Sequence, residues 1–365
     1  MPEQPCDADL LIALNLCPEL GRAACCRLAT ERDRWRSVPA RSLTATLARR
    51  LGVSPQALTL AGELRAQARG LVEAERERAA RLEARILTLA DPDYPSVLFE
   101  LALPPPVLYL LGTLPTGPGV TVVGSRQCDL YGREVAELFG RELAAAGAVV
   151  ISGLAYGVDA AAHQGALAAA DGSTVAVLGC GLGVDYPPGH RQLAASIAAQ
   201  GAVMSEFPMG APPARWQFPV RNRILAALAQ AVVVVRATAR SGSLITVRHA
   251  LELGRDIYAV PGRIFDRGAE GPNGLIRDGA YLVQHPREVL EHLDPPLSAQ
   301  EPGPEVPAEP SKLLRLLPPA EERTVEELAA ASGGTVPEIQ AELLELELSG
   351  RVRRLPGGGY ARRLS

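Results

Sequence analysis

The stretch Val232-Val233-Val234-Val235, followed at a short distance by Ser241-Gly242-Ser243-Leu244-Ile245-Thr246, decides the fold. Four consecutive β-branched residues read as a strand buried on both faces. The hydroxylated turn after them opens an amphipathic segment running to about Leu253, which reads as a helix. A strand that ends in small residues and starts a helix is suited to an anion. Gly242 lets the backbone come close, and Ser241, Ser243 and Thr246 offer hydroxyls. The first-turn amides of the helix lack partners within it and point the same way.

The same unit recurs upstream. Val120-Thr121-Val122-Val123 reads as a strand, Gly124-Ser125-Arg126 as its turn and Tyr131 to Ala146 as a helix. Ala148 to Ile151, Ser152-Gly153 and Asp159 to Ala170 repeat it. Thr174 to Leu178, a helix near 192–200, Ala202 to Met204, a helix over Arg223 to Ala229 and a last strand at Ile257 to Val260 complete the alternation. Alternating apolar strands and helices predict a doubly wound α/β fold with a parallel sheet. Its ligands belong outside the carboxyl ends of the strands. Three such turns on one sheet edge suit a polyanion better than a single phosphate. Between them lies Arg215-Trp216-Gln217-Phe218-Pro219-Val220-Arg221-Asn222-Arg223. Arginines interleaved with aromatic rings fit a nucleic-acid single strand, guanidinium on phosphate and ring on base. Core packing of Trp216 and Phe218 is the competing account, as is a solvated face for the arginines.

A dinucleotide site is the other candidate. Gly179-Cys180-Gly181-Leu182-Gly183 follows a strand, and Glu206 stands at the next strand end, where a ribose-binding acid belongs. The G-x-G-x-x-G pattern requires glycine where Val184 stands, and Pro187-Pro188 prevents a helix from starting there. No G-x-x-x-x-G-K-[ST] occurs, which excludes a P-loop. Asp159 and His163 lie four apart on one helix face; a capping acid and a packed histidine are expected there rather than a catalytic pair.

The rest of the chain frames this sheet. Its 365 residues carry a net charge of −4, yet 215–277 contain ten arginines and four acids, so a phosphate ligand meets local positive charge. The chain has a single lysine, Lys312, so arginine-for-lysine is also a compositional habit. No apolar run approaches the ~18 residues of a membrane span, and the start lacks a basic segment, so a cytoplasmic protein is expected. The six cysteines form no C-x-x-C pair and read as buried free thiols; no zinc spacing is present. Residues 1–85 read as helical, with a helix–turn–helix at Asp9 to Ala29 around Pro18-Glu19-Leu20-Gly21 and a long charged helix from Leu58 to Arg85. Two short strands follow near Ile86 and Val107. After a Pro/Glu linker at 295–311, residues 312–365 read as three helices and a hairpin, a winged helix. Its third helix is rich in glutamate, which favours protein docking over DNA. Thr324-Val325-Glu326-Glu327 has the form of a capping box.

Val123-Gly124-Ser125-Arg126, Ser152-Gly153-Leu154-Ala155, Gly157-Val158-Asp159 through His163, Tyr186-Pro187, Ser205-Glu206-Phe207-Pro208, Arg221-Asn222-Arg223-Ile224, Ser241 to Thr246 and Ala259-Val260-Pro261-Gly262 together resemble the DNA-processing protein A family (DprA/Smf), over about 86–290. The resemblance implies an extended Rossmann-like domain (86–294) behind an N-terminal SAM/helix-hairpin-helix-like domain and ahead of the winged helix. It implies a non-enzymatic homodimer that binds single-stranded DNA without a nucleotide cofactor. Such a protein hands incoming DNA to the RecA recombinase in natural transformation and displaces single-strand binding protein. By analogy Arg126, Arg221 and Arg223 are phosphate ligands and Phe218 stacks a base. Gly124, Ser125, Ser152, Gly153, Asn222, Ser241, Gly242, Ser243 and Thr246 line the site. The family usually has arginine where Tyr156 stands and an acid where Arg236 stands, which suggests that Arg236 replaces the missing cation. An enzyme acting on a nucleotide or phosphoribosyl group is the alternative on the same frame.

Overall fold

The computed structural model describes residues 7–39, 42–297, 311–317, 322–355 and 357–362. Nine strands among them form one sheet: β1 (Arg85–Thr88), β2 (Val107–Gly112), β3 (Gly119–Val123), β4 (Val149–Ser152), β5 (Thr174–Val177), β6 (Ala202–Ser205), β7 (Ala231–Val234), β8 (Asp256–Ala259) and β9 (Tyr281–Leu282). Their order is β1-β2-β6-β5-β4-β3-β7-β8-β9. The seven strands from β6 to β9 run parallel. β1 and β2 add antiparallel at the β6 edge, which the residue pattern alone did not place in this sheet.

Period-two alternation fixes the two faces. Val120, Val122, Val233 and Val235 pack with Val135, Phe139 and Val158 of α5 (Leu130–Ala145) and α6 (Val158–Ala168). Val123, Val232 and Val234 face the opposite layer, with Ile224, Leu225 and Val247 of α8 (Gln217–Leu228) and α9 (Ser243–Glu252). Each of the valines on or next to β3 and β7 is at most 3% exposed, and burying one contributes roughly 1.5–3 kcal/mol. Because β3 neighbours both β4 and β7, with helices leaving to opposite faces, a crevice opens at the carboxyl ends of these strands.

Two helix boundaries differ from expectation. α4 (Pro55–Ala80) ends five residues before Arg85, because Arg85–Thr88 pair with β2 and Glu83 takes a left-handed φ of 55° to make the turn. α8 begins at Gln217 rather than Arg223. Pro219 is its third residue, where the missing N–H costs nothing because first-turn amides have no helical acceptor.

The N-terminal region is helical, with α1 (Asp7–Asn15), α2 (Arg22–Thr30) and α3 (Ala45–Arg50) packed beside α4. After α7 (Arg191–Gln200), α10 (Glu270–Arg277) and α11 (Arg287–Leu290) of the sheet domain, the C-terminal winged helix comprises α12 (Lys312–Leu316), α13 (Val325–Ser332), α14 (Val336–Leu348), β10 (Val352–Arg354) and β11 (Tyr360–Arg362). The Thr324 capping box is present: Thr324 N donates to Glu327 and Glu327 N donates to Thr324 Oγ1. Arg353 of β10 pairs with Glu134 of α5. Most of the linker expected at 295–311 lies outside the described residues, as does Cys6; the other five cysteines are free thiols. Among the described residues no helix is long and apolar enough to cross a membrane.

Candidate nucleic-acid interface

The strand order brings the turns after β4, β3 and β7 side by side on one edge, and a crevice opens beside them at the ends of β5, β4 and β3. Arg126, Gly153, Tyr156, Gly179, Phe218 and Arg221 line it, with Ala155, Leu178, Tyr186 and Pro187. Arg126 is exposed, and its guanidinium carbon lies 5.0 Å from the centroid of the Phe218 ring. A cation over a ring face is attracted by the ring quadrupole, so the pair is oriented before any ligand arrives. Phe218 also meets Tyr186 at 5.3 Å between centroids. Gly179 makes room for it, since a Cβ there would lie 2.6 Å from the ring. Gly181 likewise abuts Pro208, where a Cβ would lie 2.0 Å from the carbonyl oxygen. The glycine run after β5 therefore serves packing within the chain and presents no dinucleotide turn.

Arg221 sits beneath this pair, 4% exposed. It donates to the carbonyls of Gly153 (2.9 Å) and Val177, and its Nε donates to Asn222. Burial lowers its pKa to about 10 even though the Asp159 carboxylate favours the charged form. Asp159 in turn accepts from the amides of Gly153 (3.2 Å) and Ala155 (3.4 Å). Burial raises its pKa while Arg221 opposes the rise. The amides that the sequence offers to a phosphate after β4 are thus already turned to an internal carboxylate. Asp159 does not pair with His163. The His163 Nδ1 meets Thr174 Oγ1 at 2.7 Å, and burial lowers its pKa to about 3. Ser152 is fully buried and donates to the Val122 carbonyl.

The turn after β7 is arranged differently. Gly242 is exposed, and a Cβ placed on it would meet nothing within 4 Å. Ser241 Oγ and Ser243 Oγ lie 2.8 Å apart, and Asn222 ties the Gly242 carbonyl to α8 (3.3 Å). Thr246 is buried behind them. After β3, Ser125 N donates to the Arg236 carbonyl (2.6 Å), and Gly124 is needed because a Cβ would lie 2.8 Å from that oxygen.

Three residues read as part of this constellation stand elsewhere. Arg223 follows Arg221 by two, and on a helix that is about 200° around the axis. It leaves the crevice and donates to Glu206 Oε2 (2.7 Å), which Arg22 of α2 also reaches (2.5 Å). Burial alone would raise the Glu206 carboxyl; Arg223 and Arg22 hold it below its ordinary value. Glu206 is therefore an interdomain anchor, not a ribose ligand. Trp216 is 54% exposed and packs edge-on against Phe207 at 5.7 Å. Arg236 does not supply the missing cation, because two carboxylates, Asp129 (2.8 Å) and Asp266 (2.6 Å), neutralise it.

The family described as DNA recombination-mediator protein A matches residues 85–294, and a DprA winged helix domain matches 297–358. The chain belongs to the DNA-processing protein A family. It is 42% identical to Protein Smf of Escherichia coli over 280 residues, covering 74% of this chain and 72% of that protein. It is 41% identical to the DNA processing protein DprA of Streptococcus pneumoniae over 213 residues, 57% of this chain and 73% of that protein. The X-ray structure of the pneumococcal protein superposes with a TM-score of 0.66 at 31% identity, over 80% of this chain and 99% of that one. DNA processing protein A of Helicobacter pylori, in a structure concerned with its single-stranded DNA binding mode, superposes with a TM-score of 0.52 at 28% identity, over 57% and 95%. Within this DprA frame Tyr156 takes a polar role: its hydroxyl donates to the Pro188 carbonyl (2.7 Å) and its ring meets His190 edge-on at 4.8 Å. The lining residues Tyr156, Tyr186 and Gly179 were missed as site residues because only folding brings three separate turns together around Phe218.

Proposed function

We infer that this DNA-processing protein binds single-stranded DNA across the carboxyl ends of β4, β3 and β7. The observation that carries the reading is the exposed Arg126 guanidinium poised over Phe218 at the mouth of the crevice. A phosphate held at Arg126 leaves the neighbouring base free to stack on the ring, and stacking of this kind contributes roughly 1–3 kcal/mol per base. Ser125, Ser241, Gly242 and Ser243 offer further donors along the strand. Arg221, Ser152, Asn222 and Thr246 support the crevice from below, and Arg223 acts at the domain contact. Membership of the family supports the wider role: a homodimer in the cytoplasm that receives incoming single strands, displaces single-strand binding protein and loads RecA. The H. pylori relative, whose structure concerns single-stranded DNA, supports the choice of ligand.

Equilibrium binding of a fluorescent ~35-nucleotide single strand over a salt series tests this, with duplex and free nucleotide alongside. Preference for the single strand is expected. Arg126→Ala lowers affinity and reduces the salt slope by about 1. Tight binding of free nucleotide, indifferent to Arg126, would replace this reading with the nucleotide-processing one.

A further inference from the structure

Residues 261–269, the loop that follows β8, carry Ile264 and Phe265 into solvent at 83% and 95% exposure, the most exposed large apolar side chains among the described residues. Such a tip is ordinarily mobile, yet this one stands on a fixed base. Gly262 exchanges two hydrogen bonds with the side chain of Asn273 (3.1 and 3.0 Å). Ala237 N donates to the Gly268 carbonyl (2.7 Å). Asp266 accepts from Gly268 N (2.9 Å) and holds the buried Arg236. One end of the loop is thereby pinned to Asn273 on the following helix and the other to Ala237 and Arg236 just after β7, and the two apolar residues between them are held out. Arg263 and Arg267 flank them, both exposed, and Arg240 is exposed on the neighbouring β7 loop.

We propose that this loop is a second contact for the same strand, with Phe265 stacking on a base and Arg263 and Arg267 holding adjacent phosphates. The inference rests on the reading of the crevice as a single-strand site. An aromatic ring among arginines is the composition that binds a single strand without regard to sequence. The position is continuous with the crevice. β8 lies beside β7, four strand spacings from β5, so the loop stands about 19 Å along the same edge. Arg236 joins the two places physically. Its carbonyl receives Ser125 N, next to Arg126 at the crevice, and its guanidinium holds Asp266 under the loop. Arg236 is thus assigned to fixing the loop that carries the second contact.

Two strand lengths separate this inference from the one beneath it. A ~3-nucleotide strand fits the crevice without spanning the ~19 Å to the loop, and a ~35-nucleotide strand also reaches the loop. Phe265→Ala is expected to weaken the long strand about tenfold and leave the short one unchanged, whereas Arg126→Ala weakens both. Phe265→Trp keeps the affinity for the long strand and Phe265→Leu does not, because stacking needs a planar ring. Arg263→Ala lowers the salt slope of the long strand by about 1. The second contact is overturned if Phe265→Ala binds the long strand like the intact protein while Arg126→Ala does not. It is also overturned if Phe265→Ala halves the mass of the free protein in sedimentation, which would make the loop a contact between copies. If the intact protein binds neither length, the single-strand reading fails and this inference with it.

Discussion

The turns after β4 and after β7 look alike in sequence and differ in what they hold. Ser152-Gly153 and Ser241-Gly242-Ser243 both end a buried valine-rich strand and lead into a helix. At the first, the Asp159 carboxylate occupies the amides and Arg221 takes the Gly153 carbonyl, so the polar groups of the turn are already engaged. At the second, the space in front of Gly242 is empty. A glycine–serine turn announces that backbone amides are free of the helix. Whether the anion they meet is internal or arrives with a ligand depends on a side chain six residues further on.

The largest effect follows from removing that internal anion. Asp159→Ala leaves a buried amide (Gly153) and a half-buried one (Ala155) without an acceptor, and Arg221 without its nearest negative charge. A loss of about 3 kcal/mol in urea denaturation is expected. The vacated turn then behaves like its open counterpart. Sulfate raises the Tm of the variant by more than it raises that of the intact protein. An equal rise in both would show that the amides were never the reason for the aspartate.

A second effect tests how tightly the first turn is packed. A Cβ on Gly153 would lie 2.5 Å from the Arg221 guanidinium and 2.7 Å from the Asp159 carboxylate. Both are buried and engaged, so neither moves freely. Gly153→Ala is expected to cost about 2 kcal/mol. A variant as stable as the parent would mean that Arg221 has another place to go.

These differences mark the limit of what residue patterns convey. The doubly wound sheet was legible because Val120 to Val123 and Val232 to Val235 carry continuous β-branched runs with turns at fixed places. The clustering of Gly124–Arg126, Ser152–Gly153 and Ser241–Ser243 followed from strand order alone. The divergence of Arg221 and Arg223 was not legible while α8 was taken to start at Arg223, because a helix begun there leaves Arg221 outside it, where spacing says nothing of direction. With the helix begun at Gln217, two residues of separation already place the guanidiniums on opposite sides. The role of Glu206 was not legible for another reason. Its partner Arg22 lies in the helical region, 184 positions away, and no local pattern couples them.

The burial behind the closed turn has a signature in pH. Thr174 Oγ1 donates to the Val150 carbonyl, so it accepts from His163, which is therefore the neutral Nδ1–H form. Its Nε2 is buried without a partner, and protonation there would bury an unpaired charge. The folded-state pKa of about 3 lies below the ordinary 6.5. Below pH ~6.5 the unfolded chain binds a proton that the native state refuses. Stability from this group is therefore complete above pH ~6.5 and falls by about 1.4 kcal/mol per unit as the pH drops toward 3. The difference in urea stability between the intact protein and His163→Gln isolates this slope. Parallel pH profiles would show that water reaches the ring.

The smallest effect on stability comes from the open turn, and it separates folding from binding. Gly242 has φ −63° and ψ −20°, a helical conformation that any residue adopts. A Cβ there meets no neighbour. Gly242→Ala therefore narrows the unfolded ensemble without straining the native one and is expected to stabilise by about 0.5 kcal/mol. The same methyl group stands in the empty space where a strand would approach the Ser241 and Ser243 hydroxyls. Affinity for the ~35-nucleotide strand is expected to fall several-fold while the Tm rises slightly. The two turns thus respond to one chemical change in opposite ways, Gly153→Ala through folding and Gly242→Ala through binding. If Gly242→Ala were to bind DNA like the parent, the open turn would be open only because nothing needs it, and the contacts with the strand would rest on Arg126 and Phe218.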